Sequence, residues 1–192
     1  LSLAAHKFYG PKGVGALFVR GRTPFVPQTV GGSQERNRRA GTENVAGAAG
    51  LATALRLAHS EMPSRNAALI AMRDRLLDEL PRRVPGTMIT GPLDRARRLP
   101  NNASFAFEHL EGEAVLLQLD LLGVAASSGS ACTTASLEPS HVLVAMGVPE
   151  RYLRGSLRLT LGTDNSMADI DYLLDVLPPA VAKIRALAPA TG

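Results

Sequence analysis

One cysteine, Cys132, occurs in 192 residues, tryptophan is absent, and aromatic residues make up only 4% of the chain. A lone cysteine closes no disulfide within the chain, and a single free thiol suits a reducing, cytosolic compartment. So few rings argue against the stacking platforms on which single-stranded nucleic acids bind. The net charge of +4 comes largely from arginine, with few lysines, and reads as composition rather than as a nucleic-acid surface. No run approaches the roughly 20 apolar residues of a membrane span, and no signal-peptide pattern opens the chain. CxxC, HExxH and GxSxG are all missing, and His59, His109 and His141 show no ligand spacing. Zinc, metalloprotease and serine-hydrolase readings fall away with them. The start also lacks methionine: Leu1-Ser2-Leu3-Ala4-Ala5 reads as the interior of a strand, so the chain is expected to be the C-terminal portion of a longer one.

What is present is 45% apolar, enough for a core in one full domain or two small ones. Residues 1–5 and 16–19 read as strands around a turn marked by Gly10, Pro11, Gly13 and Gly15. Residues 31–42 form a polar loop without helical or strand period. From Glu43 to about Glu61 small residues dominate, as in a helix packed close to another backbone. Pro63-Ser64 punctuates the chain, and a domain boundary is expected there, separating 1–62 from 63–192. The next helix carries Leu69, Ile70, Leu76, Leu77 and Leu80 at helical spacing, with Arg73 as one intruding charge. Strands follow at 88–90, 103–107 and 157–161, with short helices over 113–121 and 138–146. Ser166 and Asp169 resemble a capping box with Asp in place of Glu. The final helix is expected to kink or break at Pro178-Pro179. Alternating strands and helices make this an α/β chain.

Several residues invite chemistry. Cys132 lies among Ser127, Ser128, Gly129, Ser130, Ala131, Thr133 and Thr134, with no large apolar neighbour. Filler cysteines sit among apolar residues, so this setting predicts a mobile, exposed loop carrying a working thiol. Lys7, beside His6 in a Gly/Pro-bounded turn, suits a Schiff-base lysine, although most lysines in such turns are simply solvated. The Gly10–Gly15 segment lacks Walker spacing and leads into a strand, so it is read as a backbone reversal rather than a phosphate cradle. The loop with Arg36, Arg38 and Arg39 is either a solvated basic loop or an anion site. Thr42, at its end, is either a phosphate ligand or the N-cap of the following helix. Arg158, inside an alternating strand, either grips a carboxylate with its planar fork or makes a structural salt bridge.

Together these segments resemble the cysteine desulfurases, pyridoxal-phosphate enzymes of the NifS/IscS kind within the class-V aminotransferases. Ala5-His6-Lys7-Phe8-Tyr9-Gly10-Pro11-Lys12-Gly13-Val14-Gly15 is similar to the cofactor-lysine segment. Gly31-Gly32-Ser33-Gln34-Glu35-Arg36 through Arg39-Ala40-Gly41-Thr42-Glu43-Asn44 is similar to the arginine-rich loop. Ser128-Gly129-Ser130-Ala131-Cys132 through Ala135-Ser136-Leu137-Glu138-Pro139-Ser140 is similar to the active-site cysteine loop, in its long NifS/IscS form rather than the SufS form. Ser156-Leu157-Arg158-Leu159-Thr160-Leu161-Gly162 is similar to the substrate-carboxylate strand.

The resemblance implies fold type I of the pyridoxal-phosphate enzymes, the aspartate aminotransferase-like fold. Residues 1–62 would be the end of the large cofactor domain, and 63–192 the small C-terminal α+β domain. It further implies a homodimer in which Lys7 carries pyridoxal 5′-phosphate, His6 contacts the cofactor phosphate, with Ala4 and Ala5 also in the cofactor-binding segment, and Thr42 reaches the phosphate of the neighbouring subunit. Arg158 would hold the carboxylate of L-cysteine, and Cys132 would take its sulfur as a persulfide, leaving alanine. Iron–sulfur scaffold and sulfur-acceptor proteins would be partners, serving cluster assembly and tRNA thiolation; the one metal contact implied is that of the persulfide with a nascent cluster. Neither direct nucleic-acid nor membrane binding is implied. An ordinary thiol is only a few per cent thiolate at neutral pH, so a proton acceptor near the substrate sulfur is expected. The family has Ser-Ala-His-Lys where this chain has Ala4-Ala5-His6-Lys7, which removes a hydroxyl from the phosphate unless Ser2 or a backbone N–H replaces it. Upstream family residues that flank the cofactor ring are also outside this sequence, so these 192 residues alone are expected to be inactive. Selenocysteine lyase or a related pyridoxal-phosphate lyase is the enzymatic alternative, and a non-catalytic docking module the other.

Overall fold

Polar and apolar residues alternate along 157–161, and in the computed structural model, which describes residues 1–128 and 139–187, this segment lies in β5, Ser156–Thr160. β5 pairs antiparallel with β4, Asn102–Phe107, and β4 pairs antiparallel with β3, Thr87–Ile89, giving the order β3-β4-β5. The register sets Ala103 opposite Leu159 and Phe105 opposite Leu157. Side chains alternate across a strand, so these residues, with Phe107, share one face. Against it pack Leu76 and Leu80 of α1 (Val45–Arg83), Val115 and Leu119 of α2 (Gly112–Leu121), and Leu174 and Leu177 of α5 (Met167–Leu187). Each such buried side chain contributes about 1.5–3 kcal/mol. On the opposite face the register pairs Ser104 with Arg158 and Asn102 with Thr160, so the sheet offers a polar row there. Two short helices, α3 (His141–Ala145) and α4 (Glu150–Leu153), precede β5; α4 has no counterpart in the sequence reading. The chain enters β5 through Gly155, where a Cβ would lie 2.1 Å from the Phe107 carbonyl oxygen.

The chain divides into two compact units, Leu1–Pro63 and Ser64–Gly192, and the three-stranded sheet belongs to the second. In the first, β1 (Ser2–Ala4) pairs antiparallel with β2 (Gly15–Leu17), so the Gly/Pro segment between them does reverse the backbone. β1 runs directly into a 3-10 turn, Ala5–Phe8, closed by Tyr9 in the left-handed region. Ala5 is buried, its N–H donating to the Val14 carbonyl at 3.1 Å and its carbonyl accepting from Gly10 at 2.8 Å. Ala5 and Ala40 are the buried apolar residues of this unit, while Leu17, Phe18, Val26 and Val30 are exposed.

Three sequence expectations about helices need correcting. The helix expected from Glu43 begins at Val45, because Asn44 is its cap: its Oδ1 accepts the Gly47 N–H at 2.9 Å. Thr42 is therefore not the N-cap. Second, Pro63-Ser64 does not separate two helices, since α1, 39 residues long in all, runs through it. A proline removes one bond of the ladder, and the segment beyond it is held by Met72, Leu76, Leu77 and Leu80 in the core. Third, α5 runs through Pro178 and Pro179 unbroken. Pro178 has no N–H for the Leu174 carbonyl, and Arg83 supplies one: its Nη1 donates to that oxygen at 3.2 Å and to Asp175 Oδ1 at 3.0 Å. The capping box at the start of α5 forms as read. Ser166 N–H donates to Asp169 Oδ2 at 2.8 Å, and Asp169 N–H donates to Ser166 Oγ at 3.4 Å.

Candidate active site

The lysine candidate sits where a strand gives way to a tight turn. β1 ends at half-buried Ala4, buried Ala5 anchors the 3-10 turn, and His6 and Lys7 project from it exposed. Among the described residues Lys7 pairs with no carboxylate. Ser2 lies on the same face of β1 as Ala4 but two residues, about 7 Å, along the strand, so it does not occupy the same place. The Ala5 N–H is bonded to Val14. Ser2 and the Ala5 N–H are therefore not at hand to replace the missing serine hydroxyl.

Thr42 follows Gly41, whose φ of 99° is in the range that favours glycine. Because Asn44 does the capping, the Thr42 hydroxyl is left exposed and available. Lys7 and His6 suit a phosphorylated aldehyde such as pyridoxal phosphate, an amine for the carbonyl with an imidazole beside it, and the Thr42 hydroxyl, not used as a helix cap, suits a phosphate.

In the second unit, Arg158 stands half-buried on the polar face of the sheet. Its backbone makes an isolated antiparallel bridge with Ser127: Arg158 N–H donates to the Ser127 carbonyl at 2.6 Å, and Ser127 N–H to the Arg158 carbonyl at 3.1 Å. The segment leading into the cysteine loop is thus tied to the arginine strand. Cys132 and its loop, 129–138, lie outside the described residues, and the loop's far side resumes at Pro139 and Ser140 ahead of α3. Beside Arg158, its cross-strand partner Ser104 shares a hydrogen bond with Thr90, Oγ to Oγ1 2.7 Å.

The structure thus gathers Ala4, Ala5, His6 and Lys7 on one turn, and Arg158 with the base of the cysteine loop on one sheet face. Two further polar residues near these candidates, Gln34 and Ser127, have main-chain partners, which residue patterns do not reveal. The Ser104 hydroxyl, at a strand position facing away from Phe105 and Ala103, is the kind of signal alternation does contain.

A family model of class-V aminotransferases matches residues 1–173. The chain is similar to the cysteine desulfurase IscS of Clostridium botulinum, 49% identical over 189 residues, which are 98% of this chain and 48% of that protein. It is similar in the same way to the cysteine desulfurase IscS of Dictyoglomus turgidum, 50% identical over 189 residues with the same coverage. The chain spans about half the length of the curated relatives it matches. Among solved structures, a NifS-like protein superimposes with a TM-score of 0.82 at 34% identity, over 95% of this chain and 46% of that one. A NifS-like protein from Rickettsia africae gives 0.80 at 27% identity, over 94% and 47%. Among the described residues no helix is long and apolar enough to cross a membrane.

Proposed function

Because the chain belongs to the class-V aminotransferase family and has the mixed α/β build of fold type I, we propose that the complete gene product is a cysteine desulfurase. It converts L-cysteine to L-alanine and leaves the sulfur as a persulfide on Cys132. The observation that carries this reading is the Ser127–Arg158 bridge, which ties the approach to the thiol loop to the strand bearing the carboxylate-gripping arginine. Support comes also from the IscS name of relatives near 50% identity.

In this reading Lys7 binds pyridoxal phosphate through its amine, His6 holds the phosphate end, and the first unit forms the end of the cofactor domain. When bound, the cofactor supplies an electron sink for the pair left at the substrate Cα. Arg158 grips the substrate carboxylate with its fork, which fixes the position of Cα and of the sulfur beyond it. Lys7, which would hold the cofactor through its amine, would also serve as the base that takes the proton from the substrate Cα. The Cys132 thiolate attacks the substrate sulfur, the Cβ–S bond breaks, and Cβ gains a proton. Atoms balance as one thiol plus cysteine giving one persulfide plus alanine. The persulfide then passes its outer sulfur to an acceptor or scaffold protein, for cluster assembly and tRNA thiolation. We further propose a homodimer, with Thr42 serving the neighbouring subunit, and a cytoplasmic location, where thiols stay reduced.

Incubating the complete gene product with L-cysteine and a reductant should release alanine and sulfide in equal amounts. Absence of alanine would refute the reading. A second expectation concerns the phosphate. Restoring a hydroxyl with Ala4→Ser should tighten pyridoxal-phosphate binding roughly ten- to hundredfold, the worth of one charge-assisted hydrogen bond. Equilibrium titration of the apo-protein reads this directly, and an unchanged or weaker affinity would remove Ala4 from the phosphate site.

A further inference from the structure

Three consecutive residues that are not glycine, Glu35, Arg36 and Asn37, hold positive φ values of 48°, 56° and 63°. That region is costly for any residue with a side chain, and such a run persists only where surrounding bonds over-determine it. Here they do. Gln34 and Arg39 form a backbone bridge across the turn. Arg38 N–H donates to the Glu35 carbonyl at 3.2 Å, and the Ser33 hydroxyl donates to the Asn37 side-chain oxygen. Ala40 N–H donates to the Thr29 carbonyl at 3.3 Å, and its side chain is buried.

The Gln34 side chain then reaches across the turn, its Oε1 accepting the Gly41 N–H at 3.1 Å. With φ at 99°, Gly41 is where the chain changes direction, and Thr42 is the next residue. A hydrogen bond on the Gly41 N–H therefore fixes the peptide plane from which Thr42 departs. Glutamine suits this position: it offers a neutral acceptor at the end of a long side chain, among Arg36, Arg38 and Arg39.

We propose that Gln34 is a positioning residue for the Thr42 hydroxyl, aiming it at the cofactor phosphate; this rests on the reading of Thr42 as a phosphate ligand. The strained turn is the frame that brings Gln34 back over Gly41.

The test compares dissociation constants of pyridoxal 5′-phosphate and of pyridoxal, which lacks the phosphate, in the apo form of the complete gene product, alongside its melting temperature. Gln34→Ala should weaken the phosphate-bearing ligand about tenfold and leave pyridoxal and the melting temperature nearly unchanged. Combined with Thr42→Ala it should add nothing to the loss from Thr42→Ala alone, because the two act through one contact. Gln34→Glu, which keeps an acceptor oxygen, should preserve the wild-type ratio. If Thr42→Ala lowers the ratio and Gln34→Ala does not, or the two losses add, the positioning role is wrong and the phosphate role of Thr42 stands. If Thr42→Ala leaves the ratio unchanged, the phosphate role fails and the positioning role with it. Equal weakening of both ligands with a lowered melting temperature would make Gln34 merely structural and overturn the proposal.

Discussion

Cys132→Ala is expected to lower turnover of L-cysteine by the complete gene product about a thousandfold or more, the scale of removing a nucleophile, while leaving the bound cofactor's absorbance intact. Cys132 is the only thiol among these 192 residues, and the proposed step forms a sulfur–sulfur bond. The hydroxyls around it, at Ser127, Ser128 and Ser130, offer no such bond and are far weaker nucleophiles at neutral pH. Four peptide units separate Cys132 from Ser128, a span of at most about 14 Å, and Ser127 is bonded to the backbone of Arg158. The described end of the loop is thus anchored on the strand proposed to hold the substrate. Cys132→Ser should be as inactive as the alanine variant. Lys7→Ala gives the contrasting result, losing both absorbance and turnover, because the amine has two tasks and the thiol one. Alanine production within tenfold of wild type by Cys132→Ala would sink the desulfurase reading and favour a lyase that needs no thiol.

The largest effect on stability is expected at Arg73. It sits in the core-facing stripe of α1 and is only 2% exposed. Its Nη1 donates to the carbonyls of Arg98 and Leu99 at 3.2 and 3.1 Å, and its Nε and Nη2 reach Asp74 Oδ1 at 2.9 and 2.8 Å. Arg98 lies close by. Its guanidinium donates to the carbonyls of Thr90 and Pro92 and to Asn102, and burial, then the Arg73 charge, push it below its ordinary pKa. Arg73 thereby fastens the stretch before β4 to α1. Arg73→Ala leaves two carbonyls and a carboxylate without this donor and opens a cavity, at a cost of about 3–5 kcal/mol. In a domain of this size the melting temperature should fall by roughly 6–20 °C. Arg73→Lys keeps the charge but not the fork, and should recover only part of the loss. A shift of less than about 2 °C for Arg73→Ala would show that the carbonyls find other donors.

Both the strengths and the failures of sequence reading show at these residues. The alternation in β5, the Ser166–Asp169 box and the four motifs are local signals, and the fold and the family match what they implied. Arg73 was visible only as a charge out of place, because, Asp74 apart, its partners lie 25 and 26 residues away and are main-chain oxygens. Thr42 and Asn44 both suit an N-cap by residue type, and geometry alone chooses Asn44. The prolines misled for a related reason. Proline's cost to a helix is local and known, whereas what offsets it in α1 is core packing and in α5 a guanidinium from another helix. Cys132, the most legible residue in the sequence, lies outside the described residues, so its role rests on chemistry and on its neighbours at the loop's base.

The bond from Arg83 to the Leu174 carbonyl spans 91 residues, and this makes α5 a conditional helix. Pro178 and Pro179 remove two ladder donors from its middle, and Arg83 meets one of the two carbonyls left, that of Leu174, so an isolated α5 has a weak point there. The repair arrives only when α1 docks. The continuity of α5 is therefore linked to its packing against α1, at a place where the amino-acid sequence alone marks a break.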